Sequence, residues 1–374
     1  MRPQLIHVRQ AEDPRDVIHL AVQTLTEGKL VAFPTETVYG VAARALNPSA
    51  VRRLIEMKGR RPGHPLTLAL YSAEQARDYI PDMSRLAQRL ARRCWPGPVT
   101  LVLNDSHPEG LSRRLPSQVQ KAVAPHGTLG IRVPGHPLVL EVLRMMAGPL
   151  VLSSANRTGH RDPRTAQEVL EALGGDVDLI LDDGPARFGE PSAVVQVEGS
   201  RYKILRPGVV PEQTLKRLAS LLILFVCTGN TCRSPMAEAL TRKMLSDRLG
   251  CGMDQIEEAG VMVMSAGIAA SLGAQASPEA VEVMRSYGID LTTHETQPVS
   301  ETLIRHADYI FTMTQGHRQA ILAEWPEAAE RTLLLCPEGT DIADPIGGPV
   351  ERYRRCAQQI QRAVQVRLSE LELP

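Results

Sequence analysis

The chain has 374 residues, which is too long for one ordinary core, so two domains are expected. Its 42 Lys+Arg balance 42 Asp+Glu, and its six cysteines follow no regular framework, which argues against a secreted disulfide scaffold. No apolar run approaches a membrane span and the N-terminal MRPQLIHVRQAEDP lacks the apolar core of a signal peptide, so a cytoplasmic enzyme is the default expectation.

The charge is unevenly spread. Residues 1–220 carry 29 basic and 22 acidic side chains, a difference of +7, and residues 221–374 carry 13 and 20, a difference of −7. A basic first half suits anionic partners such as nucleotides or RNA, but so modest an excess is also an ordinary solvated surface. The ten histidines lack ligand-like spacing, and no metal site is expected.

In chain order, Leu30 to Phe33 reads as a strand ending at Pro34, followed by PTETVYG. Thr35, Glu36, Thr37 and Tyr39 crowd polar groups between apolar positions, and hydroxyls near a strand end serve either a polar ligand or a Thr-capped turn, with composition favouring the turn. SAVRRLIEMK (49–58) is an amphipathic helix with Ser49 as N-cap. It ends in Lys58-Gly59-Arg60, a K-x-R pair that in extended backbone presents both cations to one side, as phosphates need. Strands follow at 66–70, in 95–103 and at 128–134, with a helix from Ser84 to Cys94. A strand over Leu150 to Ser153 leads into the polar turn SSANRTG, and later strands end near Ser192 and at YKILRPG.

Together these motifs resemble the threonylcarbamoyl-AMP synthase (YrdC-like) family over roughly residues 8–210. PTETVYG matches its opening motif, Lys58 and Arg60 its K-x-R, Ser154 and Asn156 its S-x-N, and Arg132 and Arg206 fall in order. The resemblance implies a twisted α/β sheet domain over 1–212 with a concave basic surface. It also implies a reaction joining L-threonine, bicarbonate and ATP into threonylcarbamoyl-AMP and pyrophosphate for the t6A modification of tRNA. Lys58, Arg60, Thr128, Asn156 and Arg206 would bind ATP, together with Mg2+. Thr35, Thr37, Arg132, Ser154 and Ser192 would bind threonine. The rival for this half is an RNA-binding module without catalysis. Many relatives carry Asn where this chain has His64 and His where it has Ala69, so those positions are not carried over.

PEQTLKRLAS (211–220) reads as a helical connector, with the second domain over 221–374. LLILFVC (221–227) is a continuous apolar run, as in a parallel strand buried on both faces. It enters a loop, and Ser234-Pro235 leads into a helix over Pro235 to Leu249 closed by Gly250. Cys227 therefore sits at a strand's carboxyl end before a helix N-terminus, with Arg233 six residues on. That arrangement cradles a phosphate over a nucleophile and favours the thiolate. Strands at 261–267, 308–314 and 332–336 alternate with helices, giving an open four-stranded parallel α/β sheet whose ligand binds at strand carboxyl ends. In DIADPIGGP, Asp344 is the candidate general acid.

This half resembles the low-molecular-weight phosphotyrosine phosphatase family, through CTGNTCRSP and the late Asp-Pro. The resemblance makes Cys227 the nucleophile, Arg233 the phosphoryl ligand and Asp344 the acid and then base. Thr228, Gly229, Asn230, Thr231, Cys232 and Ser234 form the phosphate loop, and no metal is needed. Ile346-Gly347-Gly348 replace the aromatic residues usual after the Asp-Pro, and Thr231 replaces a larger aliphatic residue. Both departures resemble the protein-arginine phosphatase branch, with phosphotyrosine as the alternative. Cys232 would form a reversible disulfide with Cys227 under oxidants. Arsenate reductase, the remaining alternative, needs resolving cysteines, and Cys251, Cys336 and Cys356 show no paired spacing.

Overall fold

The computed structural model describes residues 2–59 and 63–373. The chain divides into two compact units, 1–218 and 219–374. The division falls within the connector, whose helix Glu212–Ala219 is tied to the first unit where Arg93 Nη1 donates to Leu218 O at 2.7 Å.

The first unit is built on one ten-stranded sheet. Its strands are β1 (Gln4–His7), β2 (Val31–Pro34), β3 (Tyr39–Arg44), β4 (Thr67–Ala69), β5 (Val99–Asn104), β6 (Thr128–Arg132), β7 (Leu150–Ser154), β8 (Leu179–Asp182), β9 (Ala193–Glu198) and β10 (Arg201–Arg206), in the order β1-β8-β2-β3-β7-β4-β6-β5-β9-β10. The sheet is mixed: β1/β8, β2/β8, β4/β6 and β5/β9 are parallel, and the remaining pairs are antiparallel. The helices Pro14–Thr26 and Pro137–Met145 cover one region of it, burying Val17, Ala21, Leu25, Val139 and Val142 against Val31, Phe33, Leu150 and Leu179.

Two local expectations change. The helix expected to start at Ser49 starts at Pro48, with Asn47 as N-cap accepting from Ala50 N at 3.0 Å. Pro48 supplies a fixed φ and no N–H at a position where that N–H would be unpaired, so it belongs inside the first turn and its predecessor caps. Ser192 does not end a strand; it precedes β9, directly after Pro191.

The second unit carries β11 (Leu221–Cys227), β12 (Val261–Gly267), β13 (Tyr309–Thr312) and β14 (Thr332–Leu334), ordered β12-β11-β13-β14 and parallel throughout. All seven residues of β11 are buried. Ile223, Phe225 and Cys227 pack with Met236, Leu240 and Ile360 on one face. Leu222, Leu224 and Val226 pack with Ile304, Ile310 and Ile321 on the other. The alternation is the pleat of a central strand, and the unbroken apolar run reflects cover on both faces.

The helix after β11 spans Arg233–Leu249, two residues earlier than the sequence suggested, and ends at Gly250 in the left-handed conformation. Pro235 therefore occupies its third position. First-turn N–H groups have no intrahelical acceptor, so proline there forfeits nothing, and the helix extends back to the arginine.

Candidate functional site

In the first unit a cavity of about 270 Å3 opens where several chain segments converge. The β2–β3 turn brings Thr35 and Thr37, the end of the helix Pro48–Lys58 brings Lys58, and the carboxyl end of β6 brings Arg132. Ser154 and Asn156 arrive at the end of β7, and Ser192 and Arg206 from either side of the β9–β10 pair.

Lys58 is buried and its Nζ donates to Ser154 O at 2.8 Å and to Asn156 Oδ1 at 2.7 Å. Ser154 Oγ donates to the same Asn156 oxygen at 2.7 Å, while Asn156 Nδ2 donates to His160 O at 2.5 Å. The K-x-R lysine and the S-x-N pair, almost a hundred positions apart in sequence, are thus one hydrogen-bonded cluster. Thr35 Oγ1 accepts from Val38 N, donates to Val38 O and lies 2.8 Å from Thr37 Oγ1. PTETVYG is therefore a Thr-capped turn and a cavity wall at once, so the two readings of that motif do not compete.

Arg206 Nη2 donates to Ser192 O at 2.7 Å. Burial pulls its guanidinium below its ordinary value, with Asp162 opposing and Arg132 adding to the shift. An arginine stays cationic near neutrality through such shifts. Lys58, Arg132 and Arg206 thus put three cations on one cavity.

Thr128 is not brought to this site. It opens β6, while Arg132 closes it, and four steps along the strand separate them by about 13 Å. Thr128 lines a different cavity with Asn104, His126 and Gln196. Arg60 lies outside the described residues.

Of two acids in this region, Asp162 escaped the sequence reading, and Glu36 was noticed there without a role. Asp162 is the carboxylate lining the cavity, and Glu36 is buried beside Arg132, to which it accepts a hydrogen bond at 2.7 Å. The signal for Glu36 was present in the motif itself, a charged residue between two threonines in an otherwise buried turn.

In the second unit Cys227 closes β11 and lies buried under the loop 228–232. Asn230 N donates to Cys227 Sγ at 3.2 Å, and Ser234 Oγ sits 3.0 Å from the same sulfur. Both contacts favour a sulfur anion. Asn230 is held at φ +56°, a left-handed conformation that asparagine tolerates better than other side chains carrying a Cβ. Its side chain fixes that bend: Nδ2 donates to Ser234 Oγ and to Ser265 Oγ, both at 2.9 Å, and Oδ1 accepts from Gln297 N at 2.9 Å. Gly267, at the end of β12, has no room for a Cβ, which would lie 2.5 Å from Thr228 O and 2.9 Å from Asn230 N. The loop is packed directly on that glycine.

Arg233 is buried and its Nη2 forms an ion pair with Asp344 Oδ2, while Nη1 donates to Ile342 O at 3.3 Å. The arginine and the aspartate expected on chemical grounds are in direct contact. Cys232 occupies the position before the helix without a side-chain capping bond, its Sγ 3.5 Å from Tyr353 Oη, and both Cys227 and Cys232 are free thiols.

His317 also escaped the sequence reading. It lies in the first turn of the helix Gln315–Glu324, with Nε2 2.9 Å from Thr228 Oγ1. Burial and the nearby Arg233 push it down to about 4. A histidine lowered on folding is protonated in the unfolded chain at pH values where it is neutral in the folded one. Its contribution is complete above about pH 6.5 and is lost as pH falls towards about 4. Thermal melts should therefore show stability of this unit declining from pH 6.5 to 4.5, and His317→Gln should flatten that decline. An unchanged slope in the variant would remove His317 as its source.

The Sua5/YciO/YrdC family profile, described as telomere recombination, matches residues 23–208. The low molecular weight phosphotyrosine protein phosphatase profile matches residues 222–373. Threonylcarbamoyl-AMP synthase of Pyrococcus abyssi is 36% identical over 201 residues, covering 54% of this chain and 56% of its own, so the chain spans little more than half of that relative. The enzyme of the same name from Enterobacter sp. (strain 638) is 32% identical, covering 51% of this chain and 96% of its own. Protein-arginine-phosphatase of Geobacillus stearothermophilus is 40% identical over 152 residues, covering 40% of this chain and 93% of its own. Among solved structures, P. abyssi Sua5 complexed with L-threonine aligns with TM-score 0.52 at 25% identity, covering 71% of this chain and 92% of that one. The lysine, serine and asparagine gathered in the first cavity therefore sit in a unit of the Sua5/YciO/YrdC family, and the cysteine loop sits in a unit of the low-molecular-weight phosphatase family, joined in one polypeptide.

Proposed function

We propose that the chain is a bifunctional enzyme. Its first unit makes threonylcarbamoyl-AMP and pyrophosphate from L-threonine, bicarbonate and ATP. Its second unit removes phosphate from protein phosphoarginine. The first reading is carried by Lys58, Ser154 and Asn156 meeting in a cavity that also holds Arg132 and Arg206. The second is carried by a buried cysteine whose sulfur accepts from a loop amide beside an Arg233–Asp344 pair.

In the first reaction the threonine amine attacks the bicarbonate carbon, and a carbamate forms with loss of water. A carbamate oxygen then attacks the α-phosphorus as the bond to the β-phosphate oxygen breaks. Lys58 and Arg206 offset the charge that gathers on the departing pyrophosphate, and Arg60 in the K-x-R motif would add to this. Arg132 takes the threonine carboxylate, with Thr35, Thr37, Ser154 and Ser192 around the rest of the amino acid. Mg2+ fits as an ion carried on the nucleotide: such ions are held mainly by phosphates and water with one or two carboxylates, and Asp162 is the acid lining this cavity. The product is a reactive mixed anhydride, which makes a tRNA-modifying partner its natural consumer. Substrates of this kind place the protein in the cytoplasm. An RNA-binding module without catalysis leaves the polar cavity unexplained. Pyrophosphate release that requires both threonine and bicarbonate tests the reading, and its absence rejects it.

In the second reaction the Cys227 thiolate forms a bond to phosphorus while the P–N bond breaks. Asp344 gives its proton to the leaving guanidine nitrogen, and then takes one from the water that splits the phosphocysteine. In the structure Asp344 is held by Arg233; an incoming phosphoryl group competes for the same guanidinium and releases the carboxyl for its role.

Support for phosphoarginine comes from Ile346-Gly347-Gly348, which offers no stacking wall, and from the small Thr231. Side-by-side turnover of phosphoarginine and phosphotyrosine decides between the two. Thr231→Ile should shift the ratio of kcat/KM values towards phosphotyrosine by about tenfold, the scale of one apolar group in a pocket. A ratio that does not move would remove Thr231 from substrate choice.

A further inference from the structure

Arg132 is buried beneath the first cavity and has a counter-ion already in place. Its Nη2 donates to Glu36 Oε1 at 2.7 Å and to Thr37 Oγ1 at 2.9 Å, and its Nε donates to Gly97 O at 3.3 Å. Those contacts use every N–H on the Nε and Nη2 side of the guanidinium. The two N–H groups on Nη1 have no partner among the described residues, and Arg132 lines the cavity while Glu36 does not. Glu36 is itself locked, because its second oxygen accepts from Gly135 N at 2.8 Å. Arg132 and Glu36 expose only 8% and 9% of their side chains.

A buried ion pair is weak support for stability, because desolvating both charges offsets most of their attraction. What such a pair does supply is orientation. A guanidinium held at three of its five N–H groups cannot rotate to offer its Nε–Nη2 fork, and only the Nη1 end faces the ligand. We infer that Glu36 is the positioning residue that aims Arg132, so that the carboxylate of the amino-acid substrate is recognised end-on by Nη1. The inference rests on the reading of the first unit as a threonine-using enzyme. It adds a residue outside the cavity wall that controls selectivity for a free carboxylate.

Direct binding tests it without depending on turnover. Calorimetry on the full chain measures Kd for L-threonine, for L-threonine amide and for ATP in wild type, Glu36→Gln and Gly135→Ala. The glycine variant is a second route to the same contact. A Cβ at 135 would lie 3.3 Å from Glu36 Cδ, and Gly135 has no left-handed φ, so alanine displaces the carboxyl without straining the backbone. Wild type should prefer threonine over its amide by at least tenfold. In both variants threonine binding should weaken at least tenfold, the amide should change little, and ATP should stay within twofold. Equal or tighter threonine binding in Glu36→Gln, where an acid near the anion has been removed, would overturn the inference. So would a parallel loss of ATP binding in both variants, which marks collapse of the cavity. A wild-type chain that binds threonine selectively yet releases no pyrophosphate would leave the inference standing and reject the proposed reaction.

Discussion

Cys227→Ser should reduce phosphatase turnover by on the order of 10^5-fold, the scale seen when a covalent nucleophile is removed from an otherwise intact site. The expectation follows from what surrounds the sulfur. Asn230 N and Ser234 Oγ are set to stabilise a thiolate, and a serine hydroxyl in that place stays protonated and is a poor nucleophile towards phosphorus. The cradle itself should survive, because the left-handed bend at Asn230 is fixed by Ser265, Ser234 and Gln297 and not by the sulfur alone. Inorganic phosphate should therefore still raise the melting temperature of Cys227→Ser, and should fail to do so in Arg233→Ala, which removes the planar fork that grips two oxygens. Residual turnover in Cys227→Ser within a hundredfold of wild type would mean that the cysteine is not the nucleophile.

How much of this was legible beforehand differs between the two units for physical reasons. In the second unit Cys227 and Arg233, the proposed nucleophile and phosphate ligand, are six positions apart on one strand–loop–helix segment, so local pattern and local chemistry coincide. Asp344, the proposed acid, is more than a hundred positions away, but parallel α/β topology gathers loops at strand carboxyl ends, and Arg233–Asp344 contact follows from that rule. His317 was not legible because its contact with Thr228 depends on how the helix after β13 packs against the loop.

In the first unit the sheet order β3-β7-β4-β6 brings distant segments together, and no local period encodes that order. The pairing Gly40↔Ser154 sets the β2–β3 turn beside the S-x-N turn, a contact visible only once register is known. Thr128 illustrates the converse. It shares a strand with Arg132, yet the strand's length carries it to another cavity. Likewise the start of the helix at Arg233 instead of Pro235 reflects a first turn whose hydrogen bonds impose no rule that sequence alone reveals.

The largest effect in the first unit should come from Lys58→Met. Methionine approximates the length and apolar stem of lysine, so packing changes little while the charge and its three donors are removed. Two consequences follow. In the proposed reaction the departing pyrophosphate loses a nearby buried cation, which should cost about 10^2- to 10^3-fold in kcat, as for a single transition-state donor elsewhere. Ser154 O also loses its donor, and an acceptor left unpaired costs about 1–3 kcal/mol, while Asn156 Oδ1 keeps the bond from Ser154 Oγ. Removing a buried ammonium offsets part of that cost, so the melting temperature should fall less than the hydrogen-bond count implies. The sharper readout is coupling. Because Lys58, Ser154 and Asn156 share one oxygen, Asn156→Ala in the Lys58→Met background should cost far less in pyrophosphate release than it does in wild type. Additive losses would mean that the two residues act on the substrates separately, and the cluster would then be two neighbouring contacts instead of one device. A Lys58→Met chain that keeps threonine binding and loses only ATP-dependent turnover would place the lysine on the phosphates, where the chemistry needs it.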